Sequence, residues 1–320
     1  MKKILITGAL GQIGSELTQR LRNIYGINNV IATDIKSDTH SWLAQSGPYE
    51  TLDVQNAQAM FDIAKTYHVD TIIHLAALLS ATAEAKPLLA WNLNMGGLVN
   101  ALEVARELQC QFFTPSSIGA FGPTTPKDNT PQITIQRPIT MYGINKVSGE
   151  LLCDYYFNKF GVDTRGARFP GLISYVTPPG GGTTDYAVDI YYEAIRQAHY
   201  TSYIAQGTYM DMMYMPDALR AIMELMEADP SKLIHRNAFN ITAMSVQPED
   251  FRVEIRKHIP NFKMDYNVDP VRQAIANSWP NSMDSTAATE EWGFSAEYDL
   301  FKMTSDMLEK LSEKLSHKVS

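Results

Sequence analysis

The strongest constraint on this chain lies in its first fourteen residues. A short apolar run, Ile4-Leu5-Ile6, breaks into Gly8-x-x-Gly11-x-x-Gly14, and a helix-forming stretch follows over residues 15–24. A strand that ends in a glycine turn and feeds a helix N-terminus makes a phosphate site. Glycine lets the backbone approach a pyrophosphate, and the first helical N–H groups face its charge. Taken alone, Gly8 and Gly11 also read as plain turn residues. The next apolar run, residues 29–34, narrows the choice because it ends in Asp34, 20 residues beyond Gly14. A carboxylate at the tip of the second strand accepts both ribose hydroxyls of an adenosine and repels a 2′-phosphate. No Arg follows Asp34, only Lys36, so the pattern favours NAD over NADP.

The length of 320 residues allows one large α/β unit or two unequal domains. A hydrophobic content of 45% with 19% charged residues is that of a soluble globular protein. A net charge of −8 with no basic stripe argues against nucleic acid. Cys110 and Cys153 are too few for a disulfide framework or a zinc cluster, and no metal site is expected. No signal peptide is visible, because Lys2-Lys3 precede only four residues before Gly8. No apolar stretch approaches the length of a membrane span, so a cytoplasmic enzyme is expected.

Strand and helix patterns alternate through the first half, which predicts a doubly wound parallel sheet covered on both faces. Residues 50–54 read as a short strand ending in Asp53 and Val54. Asp53 is placed to receive an adenine amino group, with Val54 presenting its backbone. It reads equally as the N-cap of a helix over 55–67. Residues 70–77 form the fourth strand, whose Leu75, Ala76 and Ala77 suit backbone passing under a cofactor. His74 on that strand reads as a packed histidine rather than a ligand. Ser80 and Thr82 open a loop at the sheet's carboxyl edge, where open α/β folds bind ligands. Residues 87–108 read as one long helix carrying Asn94. Residues 111–117 form the fifth strand, ending in Ser116 and Ser117. Residues 124–138, with three prolines, are extended.

A helix then opens at Tyr142 and runs to about residue 160. Tyr142 and Lys146 stand four apart and share one helix face. A phenol beside a fixed ammonium has its anion favoured, and such a tyrosine exchanges a proton with a substrate alcohol near neutral pH. A hydroxyl from the neighbouring strand end holds the same oxygen. Ser117, Tyr142 and Lys146 therefore form a candidate catalytic set beside a nicotinamide. Tyr and Lys four apart are common on helices, and only the dinucleotide turn and the strand-end hydroxyls give the pair weight.

These motifs together resemble the extended short-chain dehydrogenase/reductases, a family that includes nucleotide-sugar epimerases and dehydratases. The resemblance rests on the glycine turn, Asp34, Asp53, His74-Leu-Ala-Ala77, Ser117 and Tyr142-x-x-x-Lys146. It implies a Rossmann-type NAD-binding domain over 1–170, with parts of 207–245 returning to it. A smaller C-terminal substrate domain would be built from 171–206 and 246–320. It implies that Tyr142 is the acid/base and that Lys146 binds the nicotinamide ribose while lowering the tyrosine pKa. Ser117 would position the reacting oxygen, with Ser116 as the adjacent alternative. Gln12, Ile13, Asn94 and Phe169 join the expected cofactor contacts. Asn145, before Lys146, departs from many relatives at a position that is not catalytic.

The second half is similar to the short-chain type of L-threonine 3-dehydrogenase, on Arg168-Phe-Pro-Gly-Leu-Ile-Ser174, Pro179-Gly-Gly-Gly-Thr-Thr-Asp-Tyr186, Phe239-Asn-Ile-Thr-Ala-Met-Ser245, Trp279-Pro and Glu291-Trp-Gly-Phe294. That resemblance implies oxidation of L-threonine by NAD, and a homodimer through the helices at 87–108 and 142–160. For a small zwitterion, loop 180–185 presents free backbone N–H groups with the Thr183 and Thr184 hydroxyls, and Ser80 contributes from the opposite side. Asp185 either meets the ammonium or caps the next helix. The glycines make this loop a candidate lid. Met210, Met212, Met213 and Met215 read as packing, and residues 246–298 show no chemistry. A sugar-nucleotide epimerase or dehydratase on the same fold is the alternative. An NAD-sensing binding protein is a third, which Tyr142 and Lys146 argue against.

Overall fold

The computed structural model describes residues 1–37, 40–178 and 180–316; Pro179 of the glycine-rich loop lies outside them. Fourteen strands are formed among these residues: β1 (Ile4–Thr7), β2 (Val30–Asp34), β3 (Tyr49–Thr51), β4 (Thr71–His74), β5 (Gln111–Phe113), β6 (Ser116–Ser117), β7 (Thr164–Arg165), β8 (Ala167–Phe169), β9 (Gly171–Ile173), β10 (His199–Ser202), β11 (Met210–Tyr214), β12 (Phe239–Asn240), β13 (Met244–Val246) and β14 (Lys263–Tyr266). Every β1 residue is buried, as a central parallel strand with helices on both faces requires. The main sheet runs β3-β2-β1-β4-β5-β7, all parallel. The order reverses at β1 and β4, whose carboxyl ends frame a ligand crevice. This is the α/β Rossmann-type sheet that the sequence predicts.

Several boundaries differ from the sequence reading. The first helix is Gln12–Tyr25, so Gly14 lies inside it. β3 ends at Thr51, which leaves Asp53 and Val54 in a turn beyond the strand. The next helix is Ala57–Thr66, and its cap is Asn56, whose side chain accepts the Ala59 N–H at 3.0 Å. Asp53 is not the cap; its Oδ1 accepts the Gln55 N–H at 3.0 Å. Ser80 opens a short helix, Ser80–Ala85, instead of a loop. The expected fifth strand splits at Pro115, and β6 leaves the main sheet to pair with β8, which pairs with β12. The Pro87–Leu108 and Met141–Phe160 helices form as expected, the latter capped by the Thr140 side chain on the Gly143 N–H at 3.1 Å.

Two cores sandwich the main sheet, one of them reaching residues 213–241. A third gathers the Tyr186–Gln197, Pro248–His258, Pro270–Ser278 and Leu300–Ser316 helices. β11 stands between two of these cores. Its alternation sends Met210, Met212 and Tyr214 into the C-terminal core and Met213 into the core beneath the main sheet. The crowded methionines are thus packing, three on the strand and Met215 at the start of the Met215–Glu227 helix.

Candidate active site

The carboxyl ends of β1, β4 and β6 open onto a cavity of about 610 Å³. One end is built by the glycine turn. Gly8 has φ +69°, and a Cβ there would stand 2.8 Å from the Ala76 N and 2.9 Å from its Cα. Only glycine accepts both the left-handed backbone and that approach. Gly14 is buried, and a Cβ on it would collide with the Gly8 carbonyl, so the third glycine lets helix and strand meet. Gly11, Gln12 and Ile13 line the cavity beside them. Asp34 closes this end. Its Oδ2 accepts the Leu10 N–H at 3.1 Å and its Oδ1 the Lys36 N–H at 3.3 Å, which aims the carboxylate at the turn. A cradle that a Cβ would fill, beside an anchored acid, fits an adenosine pyrophosphate without a 2′-phosphate.

The middle of the cavity carries the candidate proton-transfer set. Ser117, Tyr142 and Lys146 all line it. The Tyr142 ring and the Ser117 hydroxyl both lie within 3.4 Å of the Cβ position of Gly119, so a larger residue there would crowd both. The Ser117 Oγ accepts the Gly119 N–H at 3.1 Å, which leaves its proton free to donate. The Lys146 Nζ stands 5.4 Å from the centre of the Tyr142 ring and donates to the Pro115 carbonyl at 2.6 Å. Ser116 is different, because its hydroxyl donates to Glu150. Glu150 is itself paired with Arg168 through bonds of 2.8 and 3.0 Å, with both side chains buried. That network engages Ser116 and leaves Ser117 as the serine of the set.

Other expected contacts fall in two groups. Leu75, Ala77 and Phe169 line the cavity; Ala76 lies directly behind Gly8. Asp53, Val54 and Asn94 do not line it. The Val54 carbonyl accepts Asn100 Nδ2 at 3.0 Å. Asn94 is a clamp: its Oδ1 accepts the Leu78 N–H at 2.8 Å, and its Nδ2 donates to the Leu78 carbonyl and to Asn145 Oδ1. It ties the loop after β4 to the Tyr142 helix, with both amide protons engaged. Asn145 serves as its far anchor. His74 is buried against its register partner Thr7, with Nδ1 2.9 Å from Thr7 Oγ1. Burial and the nearby Lys146 push its pKa down to about 3, so it stays neutral packing.

At the far end, loop 180–185 closes on the opposite wall. The Thr183 and Ser80 hydroxyls stand 3.2 Å apart, and the Thr183 N–H donates to Ser80 Oγ at 3.3 Å. Cβ atoms on Gly180 and Gly181 would meet Leu79 and Thr82. The expectation of free loop N–H groups is corrected here. Asp185 Oδ2 accepts both the Gly181 N–H at 2.9 Å and the Gly182 N–H at 2.7 Å. Asp185 precedes the Tyr186–Gln197 helix but makes no side-chain cap bond to it. Burial pushes its carboxyl up, while the two loop N–H groups pull it down. Thr184 and Trp279 also line the cavity. Trp279 comes from the region that showed no chemistry in the sequence; its only signal there was the Trp279-Pro pair within the resemblance.

The sequence model of the NAD-dependent epimerase/dehydratase family matches residues 4–242. A curated relative from Staphylococcus haemolyticus, described as an uncharacterized epimerase/dehydratase, is 62% identical over 99% of this chain and 100% of its own. The crystal structure of L-threonine dehydrogenase from Clostridium difficile is 69% identical, with a TM-score of 0.96 over 98% of each chain. A GalE-like L-threonine dehydrogenase from Cupriavidus necator in its holo form is 46% identical, with a TM-score of 0.94 over 97% of this chain and 99% of its own. With the glycine cradle, the anchored Asp34 and the Ser117–Tyr142–Lys146 group already in one cavity, these matches place the chain in the NAD-dependent epimerase/dehydratase family.

Proposed function

We propose that this chain oxidises the 3-hydroxyl of L-threonine to give 2-amino-3-oxobutyrate and NADH. The observation that carries the reading is the charge of the cavity wall. Among the described residues, its only cations are Lys36 and Lys146. Lys36 neighbours Asp34 at the adenosine end, and Lys146 is engaged at the Tyr142 ring. A sugar nucleotide brings a second diphosphate, and no cation among the described lining residues stands with Ser80, Thr183, Thr184 and Asp185 to meet it. A small zwitterion fits neutral hydroxyls and one acid. The likeness to L-threonine dehydrogenases over nearly the whole chain supports the same reading.

The bound nicotinamide supplies the hydride acceptor. The chain's own residues place the alcohol and take its proton. The Ser117 hydroxyl donates to the reacting oxygen and holds it beside Tyr142. The Tyr142 phenolate removes the proton from that oxygen, and the Lys146 ammonium over the ring stabilises the anion. Ser80 and Thr183 close the far wall against water. We further propose that loop 180–185 is a lid held shut here. The two halves of the chain divide the labour, with 1–170 holding NAD and 171–206 with 246–320 closing over the substrate. A cytoplasmic homodimer is the proposed working form. Leu151 and Tyr155 of the Met141–Phe160 helix and Leu88 and Trp91 of the adjoining Pro87–Leu108 helix leave an exposed apolar face for it. Among the described residues, no helix is long and apolar enough to cross a membrane.

The test is NADH formation by purified protein from NAD and L-threonine, with L-serine, D-threonine and UDP-galactose in parallel. Turnover of L-threonine is expected. Epimer formation from UDP-galactose without threonine turnover refutes the substrate and keeps the Tyr142 chemistry.

A further inference from the structure

Loop 180–185 is closed on itself by Asp185, whose Oδ2 takes the Gly181 and Gly182 N–H groups. Where the loop stands over the cavity therefore depends on its two stems. One is the strap 174–178, which leaves β9 at Ser174 and puts Thr177 and Pro178 on the cavity wall. The other is the Tyr186–Gln197 helix. The strap is tied to the helix of the glycine turn: Ser15 Oγ stands 2.9 Å from Thr177 Oγ1, and the Ser174 hydroxyl donates to Glu16. It is also held by Lys314, in the last turn of the Leu300–Ser316 helix. A lysine there ordinarily turns to the carbonyls of its own helix. The Lys314 ammonium instead donates to the Tyr175 and Val176 carbonyls, at 2.7 Å each, and to the Tyr192 hydroxyl of the Tyr186–Gln197 helix at 3.3 Å. Its three N–H groups are all used, two on one stem and one on the other. The Tyr192 hydroxyl also donates to the Tyr175 carbonyl at 3.4 Å, which closes the triangle.

We propose that Lys314 is a positioning residue for the substrate wall: its ammonium bolts the strap 174–178 to the Tyr186–Gln197 helix and so fixes loop 180–185 over the cavity. The inference rests on the lid reading above, and its kinetic arm alone rests on L-threonine. It gives the last helix, which does not line the cavity, a part in the reaction.

Lys314→Met keeps the aliphatic stem and removes the donors. Hydrogen exchange in the NADH-bound protein is the first readout, because it needs no substrate. The amides of Val176, Gly181, Gly182 and Thr183, each bonded in the closed loop or its strap, are expected to exchange about tenfold faster, the loss of one hydrogen bond to a charged group. The KM for L-threonine is expected to rise by a similar factor, with kcat within about threefold and NADH affinity unchanged. Lys314→Arg, which keeps the charge and the donors, restores both. Leu311→Ala is the structural control: Leu311 is buried in the C-terminal core on the same helix, and its loss leaves the three Lys314 bonds in place. That variant lowers the urea midpoint and keeps wild-type KM and exchange at the four amides. Unchanged exchange in Lys314→Met overturns the proposal. So does an equal effect of Leu311→Ala, which would make the ammonium part of the helix packing and no more. With an active wild type, an unchanged KM in Lys314→Met overturns it as well. Absence of L-threonine turnover by the wild type refutes the threonine reading, and the exchange experiment then decides this proposal by itself.

Discussion

Gly8→Ala is expected to cost more than a left-handed glycine alone explains. At φ +69°, an L-residue loses about 1–2 kcal/mol to backbone strain. The added methyl also lands 2.8 Å from the Ala76 N and 2.9 Å from its Cα. Ordinary contact begins near 3.4 Å, and backbone cannot rotate aside as a side-chain tip would. Overpacking of that kind adds about 1–3 kcal/mol, for a total of about 2–5 kcal/mol. Gly161 supplies the control. Its φ is +71° and nothing lies within 4 Å of its Cβ position. Gly161→Ala therefore suffers the strain without the clash, about 1–2 kcal/mol. Urea unfolding of both variants measures the difference, and titration of NADH fluorescence measures the site. Gly8→Ala pushes the turn away from residues 75–77 and weakens NADH by about tenfold or more, at 1.4 kcal/mol per decade; Gly161→Ala leaves it unchanged. Equal destabilisation by the two variants, with wild-type NADH affinity in Gly8→Ala, refutes the reasoning.

Tyr142→Phe abolishes turnover while NADH affinity stays within a few fold; full activity in a steady-state assay removes Tyr142 from its role. Asp34→Ala weakens NAD by about 1–3 kcal/mol, as for an acid deprived of charged hydrogen bonds, and calorimetry showing unchanged affinity removes it from the site. Burial pushes the Glu16 carboxyl from 4.5 up to about 7, against the opposing pull of the Ser174 hydroxyl and the Lys314 ammonium. Because the folded-state value lies above the unfolded one, the folded protein holds the extra proton between those values, and stability falls as pH rises through that window. Relative to Glu16→Gln, the wild-type urea midpoint should drop from pH 5 to pH 8; parallel curves count against it. Leu151→Glu on the exposed helix face yields a monomer by sedimentation, and an unchanged mass in a dimeric wild type refutes that face as the interface.

What was legible in the sequence is local. The glycine turn, Asp34 and the Tyr142–Lys146 spacing each follow from a few adjacent residues and the period of one element. The misplacements were local as well, since two caps competed for one helix. Asp53 and Asn56 both suit a helix start, and the observed cap is Asn56. Pro115 divided what read as one strand. The residues that could not be read take their meaning from distant partners. Arg168 needs Glu150 from the preceding helix and Asn240 from β12. Asn94 needs the Leu78 backbone and Asn145. Trp279 reaches a wall whose other members stand about one hundred to two hundred positions earlier, and no periodicity reports such a meeting.

The alternation along β11 has a thermodynamic consequence. A strand whose successive side chains are rooted in two different interiors cannot be released from one of them alone. Loosening the C-terminal helices therefore withdraws Met210 and Met212 from their neighbours and pulls at Met213 on the other face. The two cores that share β11 are thus expected to unfold as one cooperative unit, so that NAD bound at the first strands would also protect the far helices, as hydrogen exchange with and without NAD would report.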